Sequence, residues 1–495
     1  MFIEEEVEGS NLYSRVRDAI REGFYLFGMV GSDERELGRG FAVRYFFMKK
    51  GSVRVFILRT EDKFPSIVSL CPSSKNYEKE IRDMFGLLPE GHPDSRRLML
   101  YPENWDPAIH PLRKDYKGEK PEFKVYGHYT YKKVMGDGVN EILVGPIHAG
   151  IIEPGHFRFS LAGEAILQLE IRHFWKHRGI EKLCEGKDPK QVLKIVNRIS
   201  GDNAVNISIA YLNAVEPLLG LEPSERVKVI RSILGELERV WNHVRDIGWL
   251  FMDIAFPLVA QHLFSLQEKL MRFNKSLTGH RFMFDVCELG TVKVDFNRNR
   301  ERDLIDLLGV IEEEIRQVEE FALETPSVRD RFETTGRVFK NTAMELSLCG
   351  VCARASGLER DTRVELPYLA YKDVNLHTFE EGDVMARFLV RTREIYESIR
   401  LIKLFLKNLP EHTEKANKMQ KPEPYSWNIG NAETPRGNAF FFVMFDKDGK
   451  IYRLKYVDPS FRNWPAIQYA VLGDIIADFP LVNKSMNLSY AGNDL

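Results

Sequence analysis

Apolar residues recur at three- and four-residue spacing through SERVKVIRSILGELERVWNHVRDIGWLFMDIAF, residues 224–256, which predicts a long amphipathic helix with Ser224 as its N-cap. The same period returns at 259–274, 298–322 and 382–408, so the C-terminal two-thirds reads as mainly helical. Between residues 24 and 70 the runs FAVRYFFM and VRVFILRT, rich in Val, Phe, Ile and Tyr, predict strands and a small α+β unit. The stretch 140–172 predicts a β-hairpin turning at Gly163, and 438–457 a strand pair turning at Asp448-Gly449. Pro89, Pro93, Pro102, Pro107 and Pro111 exclude a long helix over 89–127, which reads as an extended arm and linker. Neither an internal repeat nor a low-complexity tract is present.

With 495 residues, 44% of them hydrophobic, the chain has material for at least one large core. Its 70 basic and 72 acidic residues nearly cancel, which argues against a general nucleic-acid or acidic-lipid binder and leaves partners to be recognised locally. The acidic, polar first residues lack the pattern of a secretory signal. No uncharged apolar run reaches the roughly 18 residues of a membrane helix, so any membrane association is expected to go through a partner. Five scattered cysteines fit reduced thiols better than a disulfide framework. Cys349-Gly-Val-Cys352 has the spacing of half a zinc site or a redox dithiol, but no second pair lies near it, so buried packing is the default reading.

The charged, aromatic, Pro-rich segment NYEKEIRDMFGLLPEGHPDSRRLMLYPENWDPAIHPLRKDY is poor in contiguous apolar residues and suits a surface that lies across a partner. It resembles the signature of the small peripheral-arm subunit of respiratory complex I, at Glu78, Glu80, Asp83, Phe85, Gly86, His92, Pro93, Arg96, Arg97 and the run His110 to Asp115. Beyond it, VGPIHAGIIEPGHFRFSLAGEAILQLEIRHFWKHRGIEKL resembles the opening of the large subunit of energy-converting, formate hydrogenlyase-type [NiFe]-hydrogenases and of the complex I quinone-site subunit. Further matches follow in family order: ELERVWNHVRDIG from Glu236, CARASGLERDTR from Cys352, ETPRG from Glu433 and ADFPLVNKS from Ala477. The resemblance implies an α+β N-terminal domain over 1–116, a linker over 117–138, and a mainly α-helical hydrogenase-large-subunit-like domain over 139–495 with small β segments at its start and near its end. It also implies a neighbouring small subunit that carries an iron-sulfur cluster.

In that family two C-x-x-C pairs hold the nickel-iron centre, because soft thiolates suit it. The early pair falls on Ser200 and Asn203, the late pair on Ser489 and Gly492, so all four thiolates are missing. Cys349-Gly-Val-Cys352 does not replace the early pair, since it precedes the Ala353-Arg354 motif rather than following the Arg198 motif. By the same resemblance Glu153 matches a proton-passing carboxylate, with a capping or salt-bridge role as its alternative. Arg436 matches the arginine suspended over the metals, or else is paired with Glu433 or Asp202. His148 and His156 can donate to a quinone carbonyl, relay protons, or be structural. Asp202 carries protons or replaces lost charge opposite Arg354 or Arg436. The tyrosine and histidine that grip quinone in complex I fall near Gly201 and Pro154, so that clamp is absent, and Tyr490 is the available phenol.

The expected function is that of a peripheral subunit on the cytoplasmic face of the membrane, part of an ion-translocating redox complex. Glu153, Arg436, His148 and Asp202 would carry its chemistry, with His156, Arg354 and Tyr490 in a quinone or acceptor pocket. No cofactor is expected to bind directly, and NAD would enter only through another subunit. Partners would be the iron-sulfur subunit, membrane-embedded proton- or sodium-translocating subunits and a small electron acceptor. A scaffold without turnover is the competing reading, and an active nickel hydrogenase a third.

Overall fold

The computed structural model describes residues 2–118, 124–125, 129–148, 152–411 and 417–495. Near its N-terminus, β1 (Phe2–Val7) leads into helix α1 (Gly9–Arg21), then β2 (Tyr25–Asp33), β3 (Phe41–Lys49) and β4 (Ser52–Thr60). These form a four-stranded sheet in the order β1-β4-β3-β2, with β1 parallel to β4 and the other pairs antiparallel. Helix α2 (Lys75–Phe85) packs on β2. Gly31 has no side chain because Phe85 lies 2.9 Å from where its Cβ would sit. From Gly91 to Gly118 the chain carries no helix or strand, as its prolines dictate; residues 119–123 and 126–128 of the predicted arm and linker lie outside the described residues.

Next comes a three-stranded sheet of β5 (Val139–Val144), β6 (His156–Ala162) and β7 (Ala165–Arg172), in that order, with Gly163 at φ +61° in the tight turn after β6. The hairpin anticipated from the sequence is β6-β7, and β5 adds a strand to it. Five long helices follow: α3 (Ala204–Leu218), α4 (Glu225–Asp253), α5 (Pro257–Thr278), α6 (Arg298–Glu324) and α7 (Val384–Lys407). Ser224 caps α4, its hydroxyl accepting from Val227 N. The central α4 packs against both α5 and α7. The C-terminal strand pair is in fact a three-stranded meander, β8 (Trp427–Thr434), β9 (Gly437–Phe445) and β10 (Ile451–Val457), with Gly449 at φ +80° in the anticipated turn. Helices α8 (Pro459–Ala470), α9 (Phe479–Met486) and α10 (Tyr490–Asp494) end the chain.

The N-terminal unit does not close its own core. Phe440, Phe442 and Met444 of β9 join Phe27, Phe46 and Val30 in one buried cluster, and Phe440 lies 2.8 Å from the would-be Cβ of Gly28. A second, larger cluster runs through the helices and takes Phe441, Val443 and Phe445 from the opposite face of β9. One strand thus holds both halves together by period-two alternation. No helix among the described residues is long and apolar enough to cross a membrane.

Candidate functional site

Five segments far apart in the chain meet at a cleft of about 560 Å³: the loop between β5 and β6, the loop before α3, the C-terminal half of α4, the turn between β8 and β9, and the α9-α10 junction. Its walls include Glu153, Ser200, Asp202, Arg245, Asp246, Trp249, Arg436, Lys484 and Tyr490. The β8-β9 turn is held by Arg436 N donating to Thr434 Oγ1 at 3.1 Å, which aims the guanidinium at Asp202. That contact is bidentate, NH1 to Oδ1 at 3.1 Å and NH2 to Oδ2 at 2.6 Å. Arg245 NH1 meets the same carboxylate at 3.0 Å, and Ser200 Oγ donates to it at 2.7 Å. Burial pushes the Asp202 carboxyl up, but the two guanidinium groups outweigh it and hold it well below the usual carboxylate range. Asp202 therefore stays ionised near neutral pH and serves as counter-charge, which favours the charge-replacement alternative over proton carriage.

Glu153 lies at the cleft, partly exposed, accepting from Ala491 N at 2.8 Å, with Lys176 Nζ 3.8 Å away. Tyr490 packs edge-on against Trp464 at 4.9 Å, and burial pushes its phenol far above the usual value, so it remains a hydrogen-bond donor. Its buried hydroxyl meets no acceptor of good geometry, although Asn483 lies close enough to influence it. His148 is not in the lining but its ring sits 6.4 Å from that of Tyr490; its Nε2 is buried without a partner and burial lowers its pKa, keeping it neutral. His156 is also off the lining, with Nδ1 3.4 Å from Gly145 O and its ring against Tyr131.

Arg354, expected in the acceptor pocket, lies elsewhere. It is 1% exposed and does not reach the cleft. Its guanidinium pairs with Asp361 at 3.1 Å, Glu394 at 2.6 Å and Glu433 at 3.0 Å. It belongs to a buried ionic network with Arg239, Arg363, Glu236 and His243. A charge surrounded by carboxylates in the interior is a structural node, not an acceptor ligand.

The four positions that the resemblance matches to nickel ligands are all buried. Ser200 Oγ and Ser489 Oγ lie 3.1 Å apart, and Ser489 Oγ also accepts from Gly492 N at 2.9 Å. Asn203 is buried with both amide atoms unpartnered. At Gly492 a Cβ would lie 2.2 Å from Asp458 Oδ2, so the space is filled. Cys349 and Cys352 are buried outside the cleft, and burial pushes both thiols up. Among the described residues no group of three or more His, Cys, Asp or Glu side chains converges as a metal site.

Sequence reasoning missed Arg245, Asp246, Trp249 and Lys484. A signal was present: Asn242, Arg245, Asp246 and Trp249 stand at i, i+3, i+4 and i+7, a polar stripe on one face of an otherwise buried helix. Lys484 pairs with Asp253, the last residue of α4, and lies 5.1 Å from the Trp249 ring. Behind the cleft, Glu238 is buried and accepts from Val205 N, Asn206 N and Asn206 Nδ2 at 2.8 to 2.9 Å. Burial, with the Asp202 charge adding, pushes it up to about 7.

Stability should depend on pH through this carboxyl. The unfolded group titrates near 4.5 and the folded one near 7, so the native state binds the extra proton and stability falls as pH rises between them. Glu238→Gln keeps an acceptor oxygen and removes this loss, on the order of 3 kcal/mol above pH 7. Glu365, also pushed up to about 7 by burial, remains. Asp494, pushed up by burial to about 6, remains as well, so urea midpoints at pH 5 and pH 8 should differ less in the variant than in the parent. An unchanged difference would locate the alkaline loss elsewhere.

The profile described as "Respiratory-chain NADH dehydrogenase, 49 Kd subunit" matches residues 253–429 and 419–494, and that of the 30 Kd subunit matches residues 10–122. Formate hydrogenlyase subunit 5 of Escherichia coli is 31% identical over 96% of this chain and 85% of its own length. The C/D subunit of NADH-quinone oxidoreductase from Bacteroides thetaiotaomicron is 28% identical over 87% of this chain and 84% of its own. A chain in the structure of the membrane-bound sulfane sulfur reductase, an archaeal respiratory membrane complex, superposes with a TM-score of 0.68 at 24% identity, over 73% of this chain and 100% of that one. With both profiles in series and a relative above 30% identity along nearly all its length, this chain belongs to the fused 30 Kd and 49 Kd complex I subunit family that includes formate hydrogenlyase subunit 5.

Proposed function

We propose that this chain is a peripheral, redox-coupling subunit of a membrane-bound, ion-translocating complex, placed on the cytoplasmic face. It takes electrons from an iron-sulfur cluster in a neighbouring subunit and passes them to a quinone or another small acceptor in the cleft, without a nickel-iron centre. The observation that carries this reading is the cleft itself, whose volume of about 560 Å³ suits a small molecule and whose walls combine Trp249 and Tyr490 with charged groups. The family supports the setting, since relatives are named as subunits of formate hydrogenlyase and NADH-quinone oxidoreductase.

The side chains present do not fit a nickel-iron centre. Two hydroxyls, a carboxamide and a glycine stand where thiolates are needed, and the hydroxyls are spent on each other and on Asp202. What remains suits proton-coupled reduction of an organic or small acceptor. Tyr490, protonated and unsatisfied, donates to an acceptor oxygen or its equivalent, and Glu153 beside Lys176 delivers protons from solvent. Arg436, Arg245 and Arg391 share two carboxylates, Asp202 and Asp246, so the cluster keeps one positive charge in excess, a field that favours negative charge developing on the acceptor.

The test is reoxidation of the reduced iron-sulfur cluster in the native complex on adding a menaquinone or ubiquinone analogue, for the parent and for Glu153→Gln. The amide retains the acceptor for Ala491 N, so folding is preserved. Rapid reoxidation slowed at least about tenfold by the substitution is the expected result. Absence of reoxidation in both forms would remove the quinone. One observation favours a second reading, a coupling scaffold without turnover: Arg436 is already neutralised by Asp202. Failure with every small acceptor tried would select it.

A further inference from the structure

A second concavity lies between the N-terminal unit and the rest of the chain, sharing no lining residue with the cleft. It has two compartments of about 510 and 110 Å³ that share Lys75, Asn76, Arg96, Glu170, Phe461, Pro465 and Gln468. The groove follows β7, the edge strand of its sheet, from Leu167 to Phe174. Seven cationic side chains line it against two carboxylates, in a chain whose formal net charge is −2. The carboxylates are spent: Asp94 on Arg96 and Lys79, Glu170 on Arg96 and on Tyr129 Oη and Lys132 N.

Lys75, Arg97, Lys132, Arg172 and Arg462 are left without a carboxylate within 4.0 Å among the described residues. Two of them are buried. Arg172 is 6% exposed with Nε and one terminal nitrogen unpartnered, its guanidinium lying over the Tyr129 ring. Arg462 is 4% exposed, and Nε and one terminal nitrogen meet no acceptor of good geometry beside the Cys349 thiol. A buried guanidinium without a carboxylate is strongly unfavourable, so Arg172, with Lys75, Arg97 and Lys132 lining the same groove, favours negative charge there. Burial together with the charges of Lys132 and Arg96 already lowers the pKa of Lys75, a sign of the same crowding.

We propose that this groove binds an extended acidic segment of a neighbouring subunit, with carboxylates on Arg172, Lys75 and Lys132. Its length along β7, about 3.3 Å per residue over seven steps, suits a strand-like segment rather than a single small anion. The apolar wall of Leu346, Phe461, Tyr469 and Leu472 accepts hydrophobic side chains between the acidic ones. Groove and cleft meet back to back, where groove-lining Trp464 packs on cleft-lining Tyr490. This inference rests on the chain being one subunit of an assembly.

The experiment is zero-length carbodiimide cross-linking of the purified native complex, read by peptide mass spectrometry. Lys75 and Lys132 are expected to form amides with Asp or Glu of one neighbouring subunit. Lys75→Glu/Lys132→Glu should remove those cross-links and release that subunit at least tenfold more readily at fixed ionic strength, while Lys269→Glu on α5 should do neither. Cross-links confined to carboxylates of this same chain would overturn the proposal. So would protection of these lysines from acetylation by millimolar inorganic phosphate on the isolated chain, with none in the complex. Recovery of the chain alone from membranes would instead defeat the assembly reading on which both proposals stand.

Discussion

Arg354→Ala is expected to be severely destabilising. The side chain is surrounded by Asp361, Glu394 and Glu433, all buried, and its truncation leaves their charge unbalanced in a medium that solvates it poorly. Removing one partner of a buried ion pair costs about 3 to 5 kcal/mol, and here Arg239 and Arg363 would be left facing Glu236, Asp361, Glu394 and Glu433, so the upper end applies. Against a total stability of roughly 5 to 15 kcal/mol, that removes a third or more of what holds the native state. Arg354→Lys keeps the charge but loses the fork that reaches several acceptors at once, and should cost about half as much. Denaturant midpoints measure both. The lysine variant also separates structure from chemistry: folded, it should react with the electron acceptor like the parent, because position 354 does not line the cleft. A reaction slowed tenfold without loss of stability would return Arg354 to the site.

Why Arg354 misled and Ser224 did not is a matter of which interactions are local. The cap at Ser224 and the apolar stripe of α4 are set by neighbours three and four residues away, so the sequence displays them directly. Helix α3, AVNISIAYLNAVEPL, is buried on nearly every face and so lacks the polar side that makes a period visible. Strand β8, WNIGNAET, carries Gly and Asn and shows no alternation, because both of its faces are covered. Charged residues are the hardest case. Arg354 and Arg436 are equally conspicuous in the sequence, and only the fold sends one to Glu394 and the other to Asp202, 234 positions away. Motif order matched Ser200 and Ser489 in advance to one site, across 289 residues. Their hydrogen bond could be known only from three dimensions.

A side chain introduced at position 492 is expected to destabilise the C-terminal helices. In Gly492→Ala the added Cβ meets Asp458 Oδ2 at 2.2 Å and its carboxyl carbon at 2.6 Å. Asp458 cannot swing aside cheaply, because its side chain accepts from Tyr456 Oη and Ser460 N at 2.8 Å each and so caps α8. Either the last helix shifts, which breaks the contact from Gly492 N to Ser489 Oγ, or the cap and the tyrosine lose their acceptor. Overpacking of this kind costs about 1 to 3 kcal/mol, and the loss of two hydrogen bonds to a charged group places this site at the upper end. Asp458→Ala should cost nearly as much alone, yet the double variant should be more stable than the sum of the two losses predicts, by about 1 to 2 kcal/mol, because the methyl then occupies vacated space. Strict additivity would mean that Gly492 answers to backbone conformation and not to Asp458. The expected coupling would instead show that the Asp458 side chain holds the space that any side chain at position 492 requires.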